Sequence, residues 1–381
     1  MACTVAVVGT GANPEEKSRE GFSMGYRHAN AYRNQSDCEL VACADIVREN
    51  AERFAEEYDI KSEHVYEDAG RMARSVEPDI VSVAVPPTVH ADVVTDLAET
   101  GSVTAVHCEK PMAATWQDCQ EMVRTCEEHG VKLTINHQRR FGAPFRKAKG
   151  LLDDGKIGPL ERVEFGGKNL FDAGTHQFDL CGYYTDQAAP EWVLGGIEYS
   201  EENVWFGAHN ANQAVVQWQY ETGVSGLAVT GDGTGLVGCY LRLVGSDGVI
   251  EIGVEDGPTL RYRRDGAGWE SVDTEGESIH GPLPQSKPGA ALRKVKETVP
   301  GVETPDRSTH YDRAIADVVR AIREDGESDL AARHALQSTE VIFAAWESVR
   351  RRGRVDLPLG IRDNPLESMV EAGVLDPVPA D

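Results

Sequence analysis

The stretch Thr4-Val5-Ala6-Val7-Val8-Gly9-Thr10-Gly11 is a short apolar run that leads directly into two glycines. β-Branched residues in such a run favour a buried strand, and glycines after it let the backbone turn tightly into the next element. Further short apolar runs follow, separated by segments with apolar residues at helical spacing. This alternation is typical of an α/β domain with a doubly wound parallel sheet.

The elements of this first domain can be read off the chain as far as Asn136. Strands are predicted at Thr4–Val8, Leu40–Ala44, Ile80–Val85, Val103–Cys108 and Lys132–Asn136. Helices are predicted near Gly25–Arg33, Val47–Tyr58, Thr88–Thr100 and Thr115–His129. We therefore place a first domain at residues 1–136.

Beyond Leu160 the pattern changes to strands at short intervals with hairpin-like turns at 221–223, 245–248 and 265–266. This predicts a mainly antiparallel sheet with one face free for packing. Two helical patterns follow, near 309–323 and 332–350. We predict a second α/β domain at 137–358 and a tail at 359–381, with 276–305 as a long loop.

The charge balance excludes some partners. Lys and Arg total 38 against 63 Asp and Glu, a net charge of -25, which repels nucleic-acid phosphates and anionic membranes. With 11 lysines against 27 arginines, the acidic excess also predicts a surface adapted to high salt, as in a halophile. None of the eight cysteines forms a C-x-x-C pair, and no leader or apolar span is evident, so we expect a soluble cytoplasmic protein.

The glycines after the first strand predict a dinucleotide site. Gly9 and Gly11 let the backbone approach a pyrophosphate at a helix N-terminus. Pro14 occupies the sixth position of the usual G-x-G-x-x-G, and an insertion at 12–20 follows. We expect Gly25 to take the place of the third glycine in the close helix contact.

Two later strand ends add to this site. Asp45 closes the second strand, where a carboxylate accepts hydrogen bonds from a ribose 2′-hydroxyl and repels a 2′-phosphate, so NAD is favoured over NADP. A turn residue at a strand end is the alternative. Pro87 and His90 follow the next strand and are predicted to border the cofactor, although Thr88 could simply cap a helix.

Glu109-Lys110-Pro111 ends the fourth predicted strand. Ligands bind at the carboxyl ends of strands in open α/β sheets, and Pro111 restricts the residues before it, so Lys110 is predicted to face a ligand. A strand-end lysine that reaches into solvent is the ordinary alternative.

Asp172, His176 and Asp179 are spaced at i, i+4 and i+7. On a helix they share one face, where carboxylates set the basicity of the imidazole and poise it as a general base. A solvated face and a metal site are alternatives, but Phe171 and Phe178 argue for burial, and no nearby Cys or second His completes a ligand set. We predict no metal.

Together these motifs resemble the glucose-fructose oxidoreductase and inositol dehydrogenase (Gfo/Idh/MocA) family. The motifs that carry the resemblance are the opening glycines, Asp45, Pro86-Pro87-Thr88 with His90, Glu109-Lys110-Pro111, Arg139-Arg140-Phe141, the Asp172 to Asp179 segment, and Glu340, Ala345 and Ser348 near the C-terminus. The resemblance implies a Rossmann domain, a second domain with a large open sheet, a nicotinamide cofactor, and a sugar or polyol substrate. It also implies that Lys110, Asp172 and His176 form the catalytic set.

The chemistry then follows from the residue types. His176 is expected to accept the hydroxyl proton, Asp172 to steady the imidazolium, and Lys110 to donate to the developing carbonyl oxygen. Glu109 is expected beside the cofactor, and Arg140 and Asp179 in the substrate pocket or directly behind it, with Asn136 and His137 at the same sheet edge. The alternatives are a glycoside hydrolase that uses NAD in a transient oxidation and elimination cycle, and a nonenzymatic nucleotide-binding regulator. A homodimer or homotetramer through the second sheet is expected.

Overall fold

The N-terminal part of the chain alternates strands and helices as predicted, in a computed structural model that describes residues 2–12, 23–282 and 308–379. Its elements in chain order are β1 (Cys3–Val8), α1 (Met24–Arg33), β2 (Cys38–Ala44), α2 (Arg48–Glu57), β3 (Val65–Tyr66), α3 (Ala69–Val76), β4 (Ile80–Val83), α4 (His90–Glu99), β5 (Ala105–Cys108), α5 (Trp116–Glu128) and β6 (Lys132–Ile135). The strands pair in the order β3-β2-β1-β4-β5-β6, and every pair is parallel. The predicted doubly wound sheet is confirmed.

Two elements of this sheet layer were missed by the prediction. β3 is a two-residue strand, too short to give a periodic pattern. α3 carries two arginines among eight residues, and Asp68 caps it by accepting a hydrogen bond from Arg71 N. Short elements of this kind owe their place to packing against β2 and α4 rather than to local sequence preference.

The second part of the chain builds a larger sheet. Its elements are α6 (Ala143–Asp153), β7 (Leu160–Gly167), α7 (Thr175–Tyr184), β8 (Pro190–Glu198), β9 (Val204–Trp205), β10 (Ala208–His209), β11 (Gln213–Tyr220), β12 (Ser225–Thr230), β13 (Cys239–Gly245), β14 (Gly248–Val254), β15 (Leu260–Arg264), β16 (Glu270–Ser271), β17 (Glu277–Ser278), β18 (Gly281–Pro282), α8 (His310–Arg323), α9 (Ala332–Arg351), β19 (Val355–Asp356) and α10 (Pro365–Glu371). Most of the predicted long loop, 276–305, lies outside the described residues, as do residues 13–20 of the insertion.

Nine strands of this part pair in the order β16-β15-β14-β13-β7-β12-β11-β8-β19. All neighbours are antiparallel except β7 and β12, which are parallel. α7 and α9 cover one face, where Phe165, Phe178 and Trp218 pack together. α9 lies directly on β8, because a Cβ at Gly195 would sit 2.7 Å from Ala345 O. The mainly antiparallel sheet is therefore confirmed, with one parallel pair.

The chain returns to the first sheet after completing the second. Ala314, Ile315 and Val318 of α8 pack with Val5 of β1 and Tyr32 of α1 in one buried cluster. α8 therefore covers part of the first sheet, although it follows the second sheet in the chain.

The segment after β19 also packs on the first domain. Trp116 Nε1 donates to Leu359 O at 3.2 Å, and Asn364 Nδ2 donates to Ala114 O at 3.0 Å. Residues of the predicted tail thus lie against α5 and form α10. All eight cysteines are free thiols. None of the helices described here combines the length and apolarity needed to cross a membrane.

Candidate active site

The glycine turn after β1 is held close to its neighbours. Gly9 and Gly11 have φ of +81° and +64°, values that favour glycine. A Cβ at Gly9 would lie 2.8 Å from the backbone carbonyl of Ala84, and one at Gly25 would lie 2.7 Å from Gly9 O. The backbone of the turn is therefore packed between β4 and α1, and the side of Gly11 where a Cβ would stand is open.

Asp45 reaches this turn from the end of β2. Its Oδ2 accepts hydrogen bonds from Gly11 N at 2.9 Å and Thr10 Oγ1 at 3.1 Å, and its Oδ1 accepts from Val47 N at 2.9 Å. The carboxylate is half-buried. Each oxygen of a carboxylate has two acceptor sites, so Asp45 can brace the turn and still accept from a ligand.

A cleft of about 840 Å³ runs along the carboxyl ends of the first sheet. The predicted site residues that line it are Gly9, Gly11, Pro87, Glu109, Lys110, Asp172 and His176. The cleft is also lined by residues that the sequence did not single out, among them Arg27, Phe206, His280, His310 and Tyr311. The remaining predicted residues, Gly25, Asp45, His90, Arg140 and Asp179, do not line it.

Lys110 and Asp172 meet across this cleft. Lys110 Nζ lies 2.9 Å from Asp172 Oδ1 and 3.0 Å from Asp172 O. The two side chains are 19% and 20% exposed. Asp172 lies before α7, not within it as the helical spacing suggested, because the turns of 170–174 precede the helix. A Cβ at Gly174 would lie 2.5 Å from Asn169 O, so this tight turn depends on glycine.

His176 lies in the first turn of α7 and is 4% exposed. Burial lowers the pKa of His176 well below its usual value, and the nearby positive charges of Arg139 and Lys110 lower it further. Its Nδ1 is buried without a hydrogen-bond partner, and no hydrogen bond joins it to Asp172 among the described residues. His176 is therefore a neutral imidazole at neutral pH.

Arg140 and Asp179 form a second pair that is almost fully buried. Arg140 Nε and Nη2 lie 2.5 and 2.7 Å from Asp179 Oδ2 and Oδ1. His137 Nδ1 lies 3.1 Å from Asp179 Oδ1, and its Nε2 lies 3.0 Å from Thr175 Oγ1. Burial alone would raise the pKa of Asp179, but Arg140 and His137 outweigh it and lower the pKa. This cluster fixes the start of α7, which carries His176.

The carboxylate of Glu109 lies within hydrogen-bond distance of two buried side chains. Glu109 Oε1 lies 2.7 Å from His28 Nε2 and 2.6 Å from Asn136 Nδ2, and His28 Nδ1 lies 2.7 Å from Ser82 Oγ. Burial would raise the pKa of Glu109, but these contacts and Lys110 bring it down to about 2. His28 was missed; its place three residues after Gly25 on α1 is the signal that could have found it.

His90 joins two strand ends. Its Nε2 lies 2.8 Å from Val85 O, and its Nδ1 lies 3.0 Å from Pro111 O and 3.1 Å from Met112 O. The ring is completely buried, and burial lowers the pKa of His90. His90 therefore fixes the loop that presents Lys110. In the described part of the chain, no three His, Cys, Asp or Glu side chains gather as a metal site.

The comparisons with known proteins agree with this architecture. Residues 3–137 match the family described as "Oxidoreductase family, NAD-binding Rossmann fold". The 2,7-anhydro-N-acetylneuraminate hydratase of Mediterraneibacter gnavus is 37% identical over 41% of this chain and 37% of that protein. The myo-inositol 2-dehydrogenase of Thermotoga maritima is 24% identical over 54% of this chain and 64% of that protein. The matched segments thus span roughly a third to two thirds of these curated relatives.

A solved structure extends the likeness in fold to almost the whole chain. The crystal structure of aldose-aldose oxidoreductase from Caulobacter crescentus, complexed with glycerol, superposes with a TM-score of 0.71 at 21% identity. The superposition covers 94% of this chain and 100% of that one. The chain thus shares its N-terminal domain with the NAD-binding oxidoreductase family model and its two-sheet fold with this solved structure.

Proposed function

We propose that this protein is an NAD-dependent dehydrogenase that oxidises a secondary hydroxyl of a sugar, an inositol or a related polyol. The observation that carries the proposal is a single cleft lined by both the glycine turn and Lys110, Asp172 and His176. A dinucleotide site and a proton-handling group must share one cavity if hydride and proton are to leave the same carbinol.

The glycine turn fits a dinucleotide. Gly9 and Gly11 expose backbone to the cleft with no side chain to block it, and Asp45 stands beside them. A carboxylate at this place favours the ribose diol of NAD and repels the 2′-phosphate of NADP. The bound nicotinamide supplies the hydride acceptor.

The proton chemistry belongs to His176. Its lowered pKa leaves the ring neutral, and because Nδ1 is buried, Nε2 is the nitrogen available to accept the hydroxyl proton. The substrate thus loses a hydride from carbon and a proton from oxygen and becomes a ketone or lactone.

Lys110 is placed to bind the reacting oxygen. An ammonium group has three N–H donors, and Asp172 O and Oδ1 take two of them. The third is left for the substrate oxygen, where it stabilises the negative charge that develops as the proton leaves. Asp172 is thus proposed to orient Lys110, a different role from the imidazolium contact expected from the sequence.

A panel of sugars, inositols and polyols with NAD and with NADP tests this function. We expect nicotinamide reduction with at least one polyol, faster with NAD than with NADP, and a loss of roughly 100-fold or more in kcat for His176→Ala. Arg124→Gln on the exposed face of α5 is the matched control, with unchanged turnover expected. Full activity of His176→Ala would remove the assigned base.

A second candidate is supported by the relative named as a hydratase. In this alternative the same residues carry out a transient oxidation that permits elimination or addition at the neighbouring carbon, after which the hydride returns. The product would then form without net accumulation of NADH. Following product by chromatography and NADH by absorbance in the same reaction separates the two functions.

We further propose that the protein assembles as a homodimer or homotetramer through the open face of the nine-stranded sheet. Leu194 on β8 and Val215 on β11 are 44% and 52% exposed there. Apolar side chains on an uncovered sheet face favour burial against a partner. Light scattering should give a multiple of 41.5 kDa, and Val215→Lys should shift it toward the monomer.

A further inference from the structure

Arg139 is a cation in the cleft that has no anionic partner among residues 2–12, 23–282 and 308–379. Its guanidinium donates a hydrogen bond to Tyr240 Oη and lies 5.2 Å from the centre of the same ring. No carboxylate of the described residues pairs with it. The charge nonetheless acts on its surroundings, since Arg139 contributes to lowering the pKa of both His176 and His280.

The next residue provides a direct contrast. The guanidinium of Arg140 donates two parallel hydrogen bonds to the two carboxylate oxygens of Asp179, which is the bidentate geometry typical of these two groups. The chain has 63 acidic residues for 38 basic ones, so a carboxylate for Arg139 is not scarce. A guanidinium that faces a cleft without a partner is the group that proteins use for carboxylate and phosphate ligands.

Arg139 also stands between two cavities. A second cavity of about 650 Å³ shares Arg139, Ala173 and His280 with the cleft. Gly9 and Gly11 line only the first cavity, whereas Arg139 lines both. The second cavity is of a size that holds a small ligand, and it begins at Ala173, beside Asp172.

The charges of the second cavity favour an anion. Lys168 lines it and lies 4.0 Å above the ring of Trp205, again with no carboxylate partner among the described residues. Glu255 lines it as well, but its side chain is exposed and pairs with neither Lys168 nor Arg139. Positive charge gathered in a cavity of a strongly acidic chain concentrates anionic ligands there.

We propose that the substrate is an anionic sugar, and that Arg139 binds its carboxylate or phosphate group at the entrance to the second cavity. The proposal rests on the proposed function, because it assigns the substrate class of the same site. The shared chemistry of the two anions is a planar or tetrahedral set of oxygens that can receive two parallel N–H donors from one guanidinium.

Pairs of sugars that differ in one anionic group test whether Arg139 binds that group. Methyl β-D-glucuronide is compared with methyl β-D-glucoside, and glucose 6-phosphate with glucose, each with NAD and the full-length protein. We expect the wild type to prefer one anionic member of a pair, which identifies the carboxylate or the phosphate. Arg139→Gln should lower kcat/KM for that sugar by roughly 10- to 100-fold more than it lowers kcat/KM for the neutral partner, the range for one charged hydrogen bond.

Two further variants keep the test specific. Arg139→Lys retains the positive charge but not the paired N–H donors of the guanidinium. Its kcat/KM for the anionic sugar should therefore lie between that of Arg139→Gln and that of the wild type. Arg124→Gln on α5 should behave as the wild type with both members of each pair. An NAD titration should give the same Kd for Arg139→Gln and the wild type, because Arg139 is assigned to the substrate.

Calorimetry of the same sugars separates this inference from the proposed function. If the anionic sugar binds through Arg139 but no sugar is oxidised, the dehydrogenase function fails and the anion site stands. If sugars are oxidised but the neutral member is preferred, or Arg139→Gln binds the anionic sugar as tightly as the wild type, the inference is overturned. Absence of binding by either anionic probe also overturns it.

Discussion

Two carboxylate–cation pairs lie at the same sheet edge, and they differ in what surrounds them. Lys110 and Asp172 are 19% and 20% exposed and line the cleft. Arg140 and Asp179 are 4% and 2% exposed and do not. The sequence predicts a catalytic role for Lys110 and Asp172, and a place in or directly behind the substrate pocket for Arg140 and Asp179.

The difference lies in unused hydrogen-bonding capacity. Asp179 has both oxygens on Arg140 and one of them also on His137, while Arg140 Nη1 donates to Asp329 O at 3.1 Å. Lys110 lines the cleft, and within the described residues Asp172 takes two of the three N–H donors of its ammonium group. Removing one partner of a buried pair whose groups are all engaged destabilises the fold, because a charge is left buried without its partner, whereas a pair with an unused donor in a cavity can bind a ligand.

The largest loss of stability is expected from Arg140→Ala. The variant leaves Asp179 buried without its cation, which should cost about 3–5 kcal/mol in the free energy of unfolding. Denaturant titration measures it. Arg146→Ala, an arginine 48% exposed on α6, is the control and should cost less than about 1 kcal/mol. An unfolding free energy equal to that of the wild type would erase the contrast between the pairs.

Lys110→Ala should lower the catalytic activity and leave the free energy of unfolding almost unchanged. Loss of the donor to the reacting oxygen is expected to lower kcat by roughly 100- to 1000-fold, and stability should change by less than about 1 kcal/mol. The control is Lys132→Ala on β6, which removes an ion pair to the exposed Asp325. Near-normal turnover of Lys110→Ala on the true substrate would contradict its assignment.

Glu109→Gln tests a buried carboxylate next to Lys110. The pKa of Glu109 is lowered from 4.5 to about 2, so its stabilisation is complete above about pH 4.5 and is lost as the pH falls toward 2. We expect the variant to be less stable than the wild type by about 1–3 kcal/mol at pH 7. The gap should close between pH 4.5 and 2, and a gap independent of pH would disprove the stated cause.

The smallest effect is expected from Asp172→Asn. Because its pair is partly exposed, the unfolding free energy should fall by less than about 1 kcal/mol. The amide oxygen can still accept from Lys110, so kcat should fall less than it does in Lys110→Ala. A destabilisation as large as that of Arg140→Ala would show that the two pairs do not differ in kind.

Strong periodicity allowed most of the fold to be predicted. The β-branched runs gave all strands of the first sheet but β3, and Gly-containing turns marked the hairpins of the second. The return of α8 to the first sheet was not predictable, because a helical pattern identifies an apolar face and not its partner.

The sequence identified the residues of the candidate site better than it identified the contacts between them. Lys110, Asp172 and His176 do meet in one cleft, but the 3.6-residue period implied a continuous helix that the turn at Gly174 prevents. Arg139 carried no distinguishing signal beside Arg140. Which of two adjacent arginines is paired depends on residues distant in the chain, Asp179 and Tyr240, and these become neighbours only on folding.

The position of α8 has a consequence for synthesis. Chains fold as they leave the ribosome, N-terminal segments first. Here the apolar surface of β1 and α1 around Val5 and Tyr32 is completed by Ala314, Ile315 and Val318, between 282 and 313 residues later. The nascent N-terminal half must therefore carry an uncovered apolar patch until most of the polypeptide has emerged, and His310 and Tyr311 join the lining of the cleft only late in translation.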